Sequence, residues 1–213
     1  WVVEVTGGEP ENITRGAESG WGYWEPKWSP DDRRLAMRCS DGIGSWLCMW
    51  DSRMSELRVL SDREIDVRFT PFEWASNNAI IAQALPTGTH AQSLTVLRET
   101  PAIAGREWPK VRGGDQPTAS ILEAGLYVGT GPATDATLLH IDLVSGAETA
   151  LLTGEVRSVA VAPEGRYVAV VVEAGRRPRD PADLRTVRGN GTPRWALRIA
   201  DLRAGRTIDV PGD

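Results

Sequence analysis

The sequence predicts an all-β chain, an arc of a β-propeller, and three observations lead to that fold. Turn-and-strand segments recur as WSPDDRRLA at 28–36, WASNNAIIA at 74–82 and VAPEGRYVA at 161–169, with a weaker SILEAGLYV at 120–128. Their spacings of 46, 46 and 41 residues match the period of a four-stranded propeller blade. Each is followed by a strand, a short turn and an outer strand, clearest in LLHIDLVSGAET at 138–149 and LRIADLRAGRT at 197–207. No 11-residue window keeps apolar residues at i, i+3, i+4 and i+7 together with a cap, so no helix is expected.

Taken in order, WVVEVTGGEPENIT at 1–14 reads as two outer strands around a Gly-Gly turn, half a blade. Four blades follow at about 23–60, 67–110, 119–153 and 157–210, so the chain reads as four blades plus a half, an arc cut from a larger propeller. A chain opening inside a strand is expected to continue upstream. Pro30 and Pro163 fix φ in the turns, and Asp31, Asn77 and Glu164 offer side-chain acceptors for turn amides. Asp32, Asn78 and Gly165 occupy the next position, where tolerance of positive φ lets the chain reverse tightly. Nine of the fourteen aromatic residues are Trp, wide enough to fill the wedge between adjacent sheets at 150–250 Å² each by the usual estimate.

Cys39 and Cys48 flank SDGIGS and share parity with apolar neighbours, Leu35 and Met37 for one, Trp46 and Trp50 for the other. They are expected to face one another across a hairpin, close enough for a disulfide. A bond there implies an exported parent, periplasmic or secreted rather than cytoplasmic.

Net charge is −5, with 25% charged and 41% hydrophobic residues, which argues against a basic nucleic-acid binder and a disordered tail. No CxxC or His/Cys ligand cluster is present, so neither a structural metal nor a cofactor is expected. No run approaches the ~18 apolar residues of a membrane span. Serine hydrolase chemistry needs a GxSxG elbow followed by Asp and His. The nearest strings, GIGSW at 42–46 and AESG at 17–20, lack it. His90 lies in a polar loop and reads as solvated, and His140 alternates on a strand and reads as structural. Asp31-Asp32 resembles an acid/base pair, but the equivalent turns carry Asn77-Asn78 and Glu164-Gly165, which could not do that chemistry. GTGPA at 129–133 and RGNG at 188–191 lack the spacing of phosphate loops. No catalytic residue is therefore assigned.

Residues 176–206 hold nine Arg and three Asp, an excess centred on an insertion at 174–193 between the second and third strands of the last blade. Arg176, Arg177, Arg179, Arg185 and Arg188 form either a solubilising loop or an arm facing substrate or a neighbouring domain.

WSPDDRRLA and VAPEGRYVA resemble the W-S-P-D-G-R-x-L-A element of TolB-like propeller repeats, and WVVEVTGGEPENIT resembles its Gly-Gly-x-Pro partner. Both are features of the N-terminal propeller of prolyl oligopeptidase-type serine peptidases, including dipeptidyl and acylaminoacyl peptidases. The resemblance implies a propeller of seven or eight blades joined to an α/β-hydrolase domain of the same polypeptide. That domain carries the catalytic Ser, Asp and His, while the propeller covers the site and restricts entry to short peptide substrates. The competing implication is a non-enzymatic TolB-like propeller serving as a protein-interaction scaffold.

Overall fold

The computed structural model describes residues 1–14, 20–65, 72–115, 136–177 and 192–211. They form three four-stranded antiparallel sheets. The first runs β1 (Gly22–Trp28), β2 (Arg34–Ser40), β3 (Ser45–Asp51), β4 (Glu56–Val59), hydrogen-bonded in chain order. The second runs β5 (Phe72–Ser76), β6 (Ala79–Ala84), β7 (Thr137–Asp142), β8 (Glu148–Thr153). The third runs β9 (Val156–Val161), β10 (Tyr167–Arg177), β11 (Thr192–Asp201), β12 (Arg206–Val210). Central strands are apolar on both faces, as in AIIAQA of β6, which is buried throughout, because each sheet has a neighbour to cover it.

Two sequence expectations are corrected here. The segments 67–110 and 119–153, read as separate blades, contribute to one sheet, since Ala79 to Ala84 of β6 pair directly with Asp142 to Thr137 of β7. Between them lies a helix, α1 (Gln92–Gly113), 22 residues long, where none was expected. It contains Pro101 and Pro109 and has no side-chain N-cap, so the start signal is missing and two residues that disrupt helices sit inside it. SILEAGLYV at 120–128 lies outside the described residues. At the start of the chain, residues 1–14 form one bridge, Val2 to Glu11, and Val2 and Ile13 pack on the first sheet.

A repeated corner holds each sheet. The third strand ends in Asp51, Asp142 or Asp201, placed opposite Arg34, Ala79 and Tyr167 respectively. Asp51 Oδ1 accepts the Arg53 amide at 3.0 Å. Asp142 Oδ1 accepts those of Val144 and Ser145 at 2.9 and 2.8 Å, and Asp201 Oδ1 those of Arg203 and Ala204 at 3.0 and 3.1 Å. The next residue, Ser52, Leu143 or Leu202, donates its amide to the carbonyl of Arg33, Asn78 or Arg166. In the outer sheets an arginine completes the corner: Arg34 Nε meets Asp51 at 3.0 Å and Arg166 Nη2 meets Asp201 at 2.8 Å. Burial works to raise Asp51, but the Arg34 bond and turn amides outweigh it and hold its carboxyl below the usual range. At Asp201 the Arg166 bond dominates and brings the pKa to about 2.

The first-to-second-strand turns differ in detail. Asp31 accepts the Ser29 hydroxyl at 2.7 Å, which is the main cause of its lowered pKa. Asp32 and Gly165 adopt φ of 56° and 70°, whereas Asn78 stays out of that region and donates its amide to Ser76 Oγ. Glu164 is exposed, and its turn closes through Gly165 N–H to Ala162 O at 2.8 Å. These turns also join the sheets. Arg34 Nη1 donates to Asn77 O at 2.7 Å and Asn78 Oδ1 at 2.8 Å, and a Cβ on Gly165 would fall 2.2 Å from Ala75 O.

Between the first two sheets Ala36, Leu47 and Met49 meet Phe72, Trp74, Ile80 and Ile141, and the Trp74 indole donates to Lys27 O at 2.9 Å. Between the second and third, Ile81 and Leu138 meet Val159, Val168, Val170 and Val172. Trp74 fills a wedge as expected of the Trp residues. Trp1 and Trp108 are exposed, while Trp28, facing away from the second sheet and 43% exposed, packs edge-on against Trp50.

Cys39 and Cys48 form a disulfide, with one correction to the register. Cys39 lies opposite Trp46 and Cys48 opposite Met37, so the bond joins diagonal neighbours on the expected face. The four-residue loop 41–44 moves the hairpin centre, because Asp41 Oδ1 gathers the Ile43 and Gly44 amides.

Gly165→Ala is expected to destabilise the chain by about 2–4 kcal/mol, from positive φ plus the collision with Ala75. Gly205→Ala, with φ 60° but open space around it, should lose only ~1–2 kcal/mol; urea denaturation compares them. A second expectation concerns acid. Asp201 titrates near 2 when folded against 3.8 for the free group, so its stabilisation is complete above about pH 4 and disappears as pH falls through 2. Asp201→Asn should flatten the stability curve across that interval, as measured by urea midpoints at stepped pH.

Candidate functional site

In each meander the turns joining first to second and third to fourth strands fall at one end of the sheet. The second-to-third connections and the links between sheets fall at the other. The first end carries only the short turns 29–33, 52–55, 77–78, 143–147, 162–166 and 202–205. The strand ends from which 41–44, 60–71, 85–136, 154–155 and 178–191 depart lie at the other. Both long insertions, one containing α1 and one containing the arginines, therefore leave the same end, and long loops held by a rigid scaffold are where recognition resides.

Glu64 organises this end. Its buried carboxylate accepts the amides of Ser45 and Ala91 through Oε2 at 3.3 Å each, and Oε1 lies 2.6 Å from His90 Nδ1. Its backbone carbonyl takes the Leu85 amide at 2.7 Å, and Ile65 donates to Ser45 O at 2.9 Å. One side chain thus ties the start of β3, the link between sheets and the residue preceding α1. A carboxylate at a helix N-terminus is favoured by the orphan amides and dipole there. Gly44 is required by close approach: a Cβ would lie 2.5 Å from the Trp46 ring and 2.9 Å from Glu64 Oε1.

This constellation is not a hydrolytic triad. The Ser45 hydroxyl donates to Ile65 O rather than to His90. His90, read from sequence as solvated, is bound to Glu64 while much of its ring stays exposed. His140 sits on β7 opposite Ile81. Among the described residues no group of three His, Cys, Asp or Glu is placed to hold a metal.

Helix α1 carries an apolar stripe at Leu94, Leu97, Pro101, Ala104, Trp108 and Val111, alternately three and four residues apart. Leu94 packs against Leu85, Ala91 and Ala136, whereas Leu97 and Trp108 are exposed. Near its end Glu107 binds Arg106 and Lys110, and Gly114 closes it in the left-handed region.

The third sheet extends beyond its neighbours at this end. Val172 is the last residue of β10 paired with β9, but pairing with β11 continues through Gly175–Arg194, Arg176–Pro193 and Arg177–Thr192. The hairpin is a projecting arm, with the Arg157 guanidinium stacked 5.0 Å over the Trp195 ring at its root. Arg176 and Arg177 belong to the arm's backbone ladder, while Arg179, Arg185 and Arg188 lie outside the described residues. The turn residues Asp31, Asp32, Asn77, Asn78, Glu164 and Gly165 all sit at the opposite end. Glu64 was not singled out in the sequence, because nothing in SDREIDV distinguishes a buried carboxylate from a solvated one.

Solved structures share this arrangement of sheets. A prolyl endopeptidase superposes with a TM-score of 0.51 at 10% identity, over 91% of this chain and 22% of its own. The chain is an arc of a β-propeller. Acylaminoacyl peptidase of Pyrococcus horikoshii gives 0.47 at 13% identity over 89% of this chain and 25% of its own. TolB of Acinetobacter baumannii gives 0.46 at 13% over 89% and 32%. The arc thus spans about a fifth to a third of the length of these three proteins. No family model and no curated protein matches the sequence.

Glu64→Ala should leave the Ser45 and Ala91 amides without their acceptor, at about 1–3 kcal/mol. The expected result is faster hydrogen exchange through α1 with β6 and β10 still protected. Equal acceleration in all three would show that Glu64 supports the whole arc rather than the helix.

Proposed function

We propose that this arc is the non-catalytic propeller segment of a serine peptidase of the prolyl oligopeptidase type. It covers the active site of a separate α/β-hydrolase domain in the same polypeptide and restricts entry to short peptides. The observation that carries this reading is that every long connection between the described strands departs from one end of the stack of sheets, within a fold shared with a prolyl endopeptidase. Such an end offers a rim toward a neighbouring domain, while the short-turn end has no reach.

The chemistry divides accordingly. Acyl transfer needs a nucleophile, a base within about 3 Å and oxyanion donors, and the serine that Glu64 holds beside His90, Ser45, gives its hydroxyl to Ile65 O. The arc's contribution is access: a stiff rim admits a flexible peptide of a few residues and turns away a folded chain. The arginine-rich arm suits the carboxylates of a peptide, which a guanidinium binds through paired hydrogen bonds. The Cys39–Cys48 disulfide supports an oxidising compartment, periplasmic or extracellular.

The purified 213-residue chain is expected to hydrolyse no peptide. In the intact polypeptide, replacing 178–191 by a Gly-Ser link should leave kcat/KM for a dipeptide-sized ester within a few-fold while changing it at least tenfold for longer acidic peptides. Hydrolysis by the purified arc would overturn the division of labour, and identical profiles for short and long substrates would remove the arm from substrate selection.

A further inference from the structure

The segment before the first sheet carries a motif that sheet packing does not explain. The chain has four asparagines, Asn12, Asn77, Asn78 and Asn190, and two of them, Asn12 and Asn190, are followed two residues later by threonine. Asn-x-Thr, with x other than proline, is the acceptor pattern for attachment of an oligosaccharide to the asparagine amide in exported proteins. The pattern is short, so its surroundings decide what it means. Asn77 and Asn78 lack the hydroxyl residue, and Asn78 Oδ1 is held by Arg34 at a junction between sheets, at 2.8 Å. Asn190 lies outside the described residues. Asn12 is described, and the structure presents it.

We infer that Asn12 is a glycan acceptor, modified on its side-chain amide nitrogen. On one side of it Val2 and Glu11 exchange their amides and carbonyls at 2.9 and 2.8 Å. On the other, Ile13 is 5% exposed and packs among Cys39, Cys48 and Trp50. With its neighbours tied down, Asn12 itself is exposed. Its Oδ1 accepts the Thr14 amide at 3.1 Å and the Thr14 hydroxyl at 2.9 Å, an Asx turn that brings together the two side chains the pattern requires. Two donors on Oδ1 draw electron density from the amide and make its Nδ2 hydrogens more acidic. Among the described residues no acceptor holds those hydrogens, so Nδ2 faces solvent. The co-reactant is an oligosaccharide joined through its C1 to a lipid diphosphate. The Nδ2–C1 bond forms as the C1–oxygen bond breaks, the lipid diphosphate leaves with the electron pair, and one Nδ2 proton passes to a base of the transferase. The Cys39–Cys48 bond places the chain in the oxidising, exported setting where such transfer occurs. The inference holds whether or not the arc belongs to a peptidase.

Transfer to the purified, oxidised 213-residue chain tests it, using a single-subunit oligosaccharyltransferase and a lipid-diphosphate oligosaccharide as donor. A free peptide spanning 9–15 gives the rate of the motif without the fold. Mass spectrometry of tryptic fragments should find one oligosaccharide on Asn12, added within about tenfold of the peptide's rate. Thr14→Ala should lower transfer at least a hundredfold, while Thr14→Ser keeps it within about tenfold. Asn190 falls on a separate fragment, so modification there is read apart from Asn12. A peptide that accepts no sugar would overturn the inference, as would a folded chain more than tenfold slower than the peptide. Undiminished transfer to Thr14→Ala would do the same, because the hydroxyl would then have no part in the site.

Discussion

Everything in this molecule depends on one sheet lying face to face against the next. A four-stranded sheet of this size has two faces, and its central strands carry branched apolar residues on both, as Val168, Val170 and Val172 do toward one neighbour and Ala169 and Val171 do away from it. Such a strand has no polar side to give to solvent, so burial against another sheet is a condition of its stability rather than an addition to it. The outer strands escape the condition, and their residues are accordingly polar: β4 reads ELRV and is largely exposed.

The stacking is steered from the short-turn end. Each corner Asp collects amides of its own turn, and the turns on that end reach the neighbouring sheet through Arg34 or through the absent Cβ of Gly165. A few charge-assisted bonds and one close backbone approach therefore fix the lateral position of sheets whose apolar faces alone would tolerate sliding. Charge serves geometry here; the hydrophobic contact supplies most of the free energy.

That division explains what could be read from the sequence. The turns were legible because they recur every 41 to 46 residues with residue types that a tight turn selects, and the strings LLHIDLVSGAET and LRIADLRAGRT that carry Asp142 and Asp201 because they share one strand-turn pattern. The helix was not, since its apolar stripe is interrupted by Pro101, is mostly unburied and begins without a capping side chain. Missing it doubled the second sheet into two blades, because 67–110 and 119–153 each looked strand-rich when β6 and β7 were separated. The disulfide's face followed from parity, but its diagonal register depended on Asp41 closing the four-residue loop 41–44, which parity does not reveal. Glu64 was invisible for a different reason: its role comes from three segments distant in sequence, and no local pattern marks it.

The same division bears on where variation is tolerated. A turn at the corner end must present a particular carbonyl or a bare Cα to its neighbour, so added residues there would break a junction between sheets. A second-to-third connection at the opposite end closes a hairpin whose two strands are already held by outer partners. Replacing the four-residue loop 41–44 of the first sheet by the connection 85–136 of the second lengthens it roughly thirteen-fold, and by loop-closure entropy this costs about 2 kcal/mol. Burial at a single sheet junction exceeds that amount, since one fully buried leucine or isoleucine contributes about 1.5–3 kcal/mol. Insertions large enough to recognise a partner therefore accumulate on the end where they disturb no packing, and a stiff stack of sheets comes to carry its specificity on one rim.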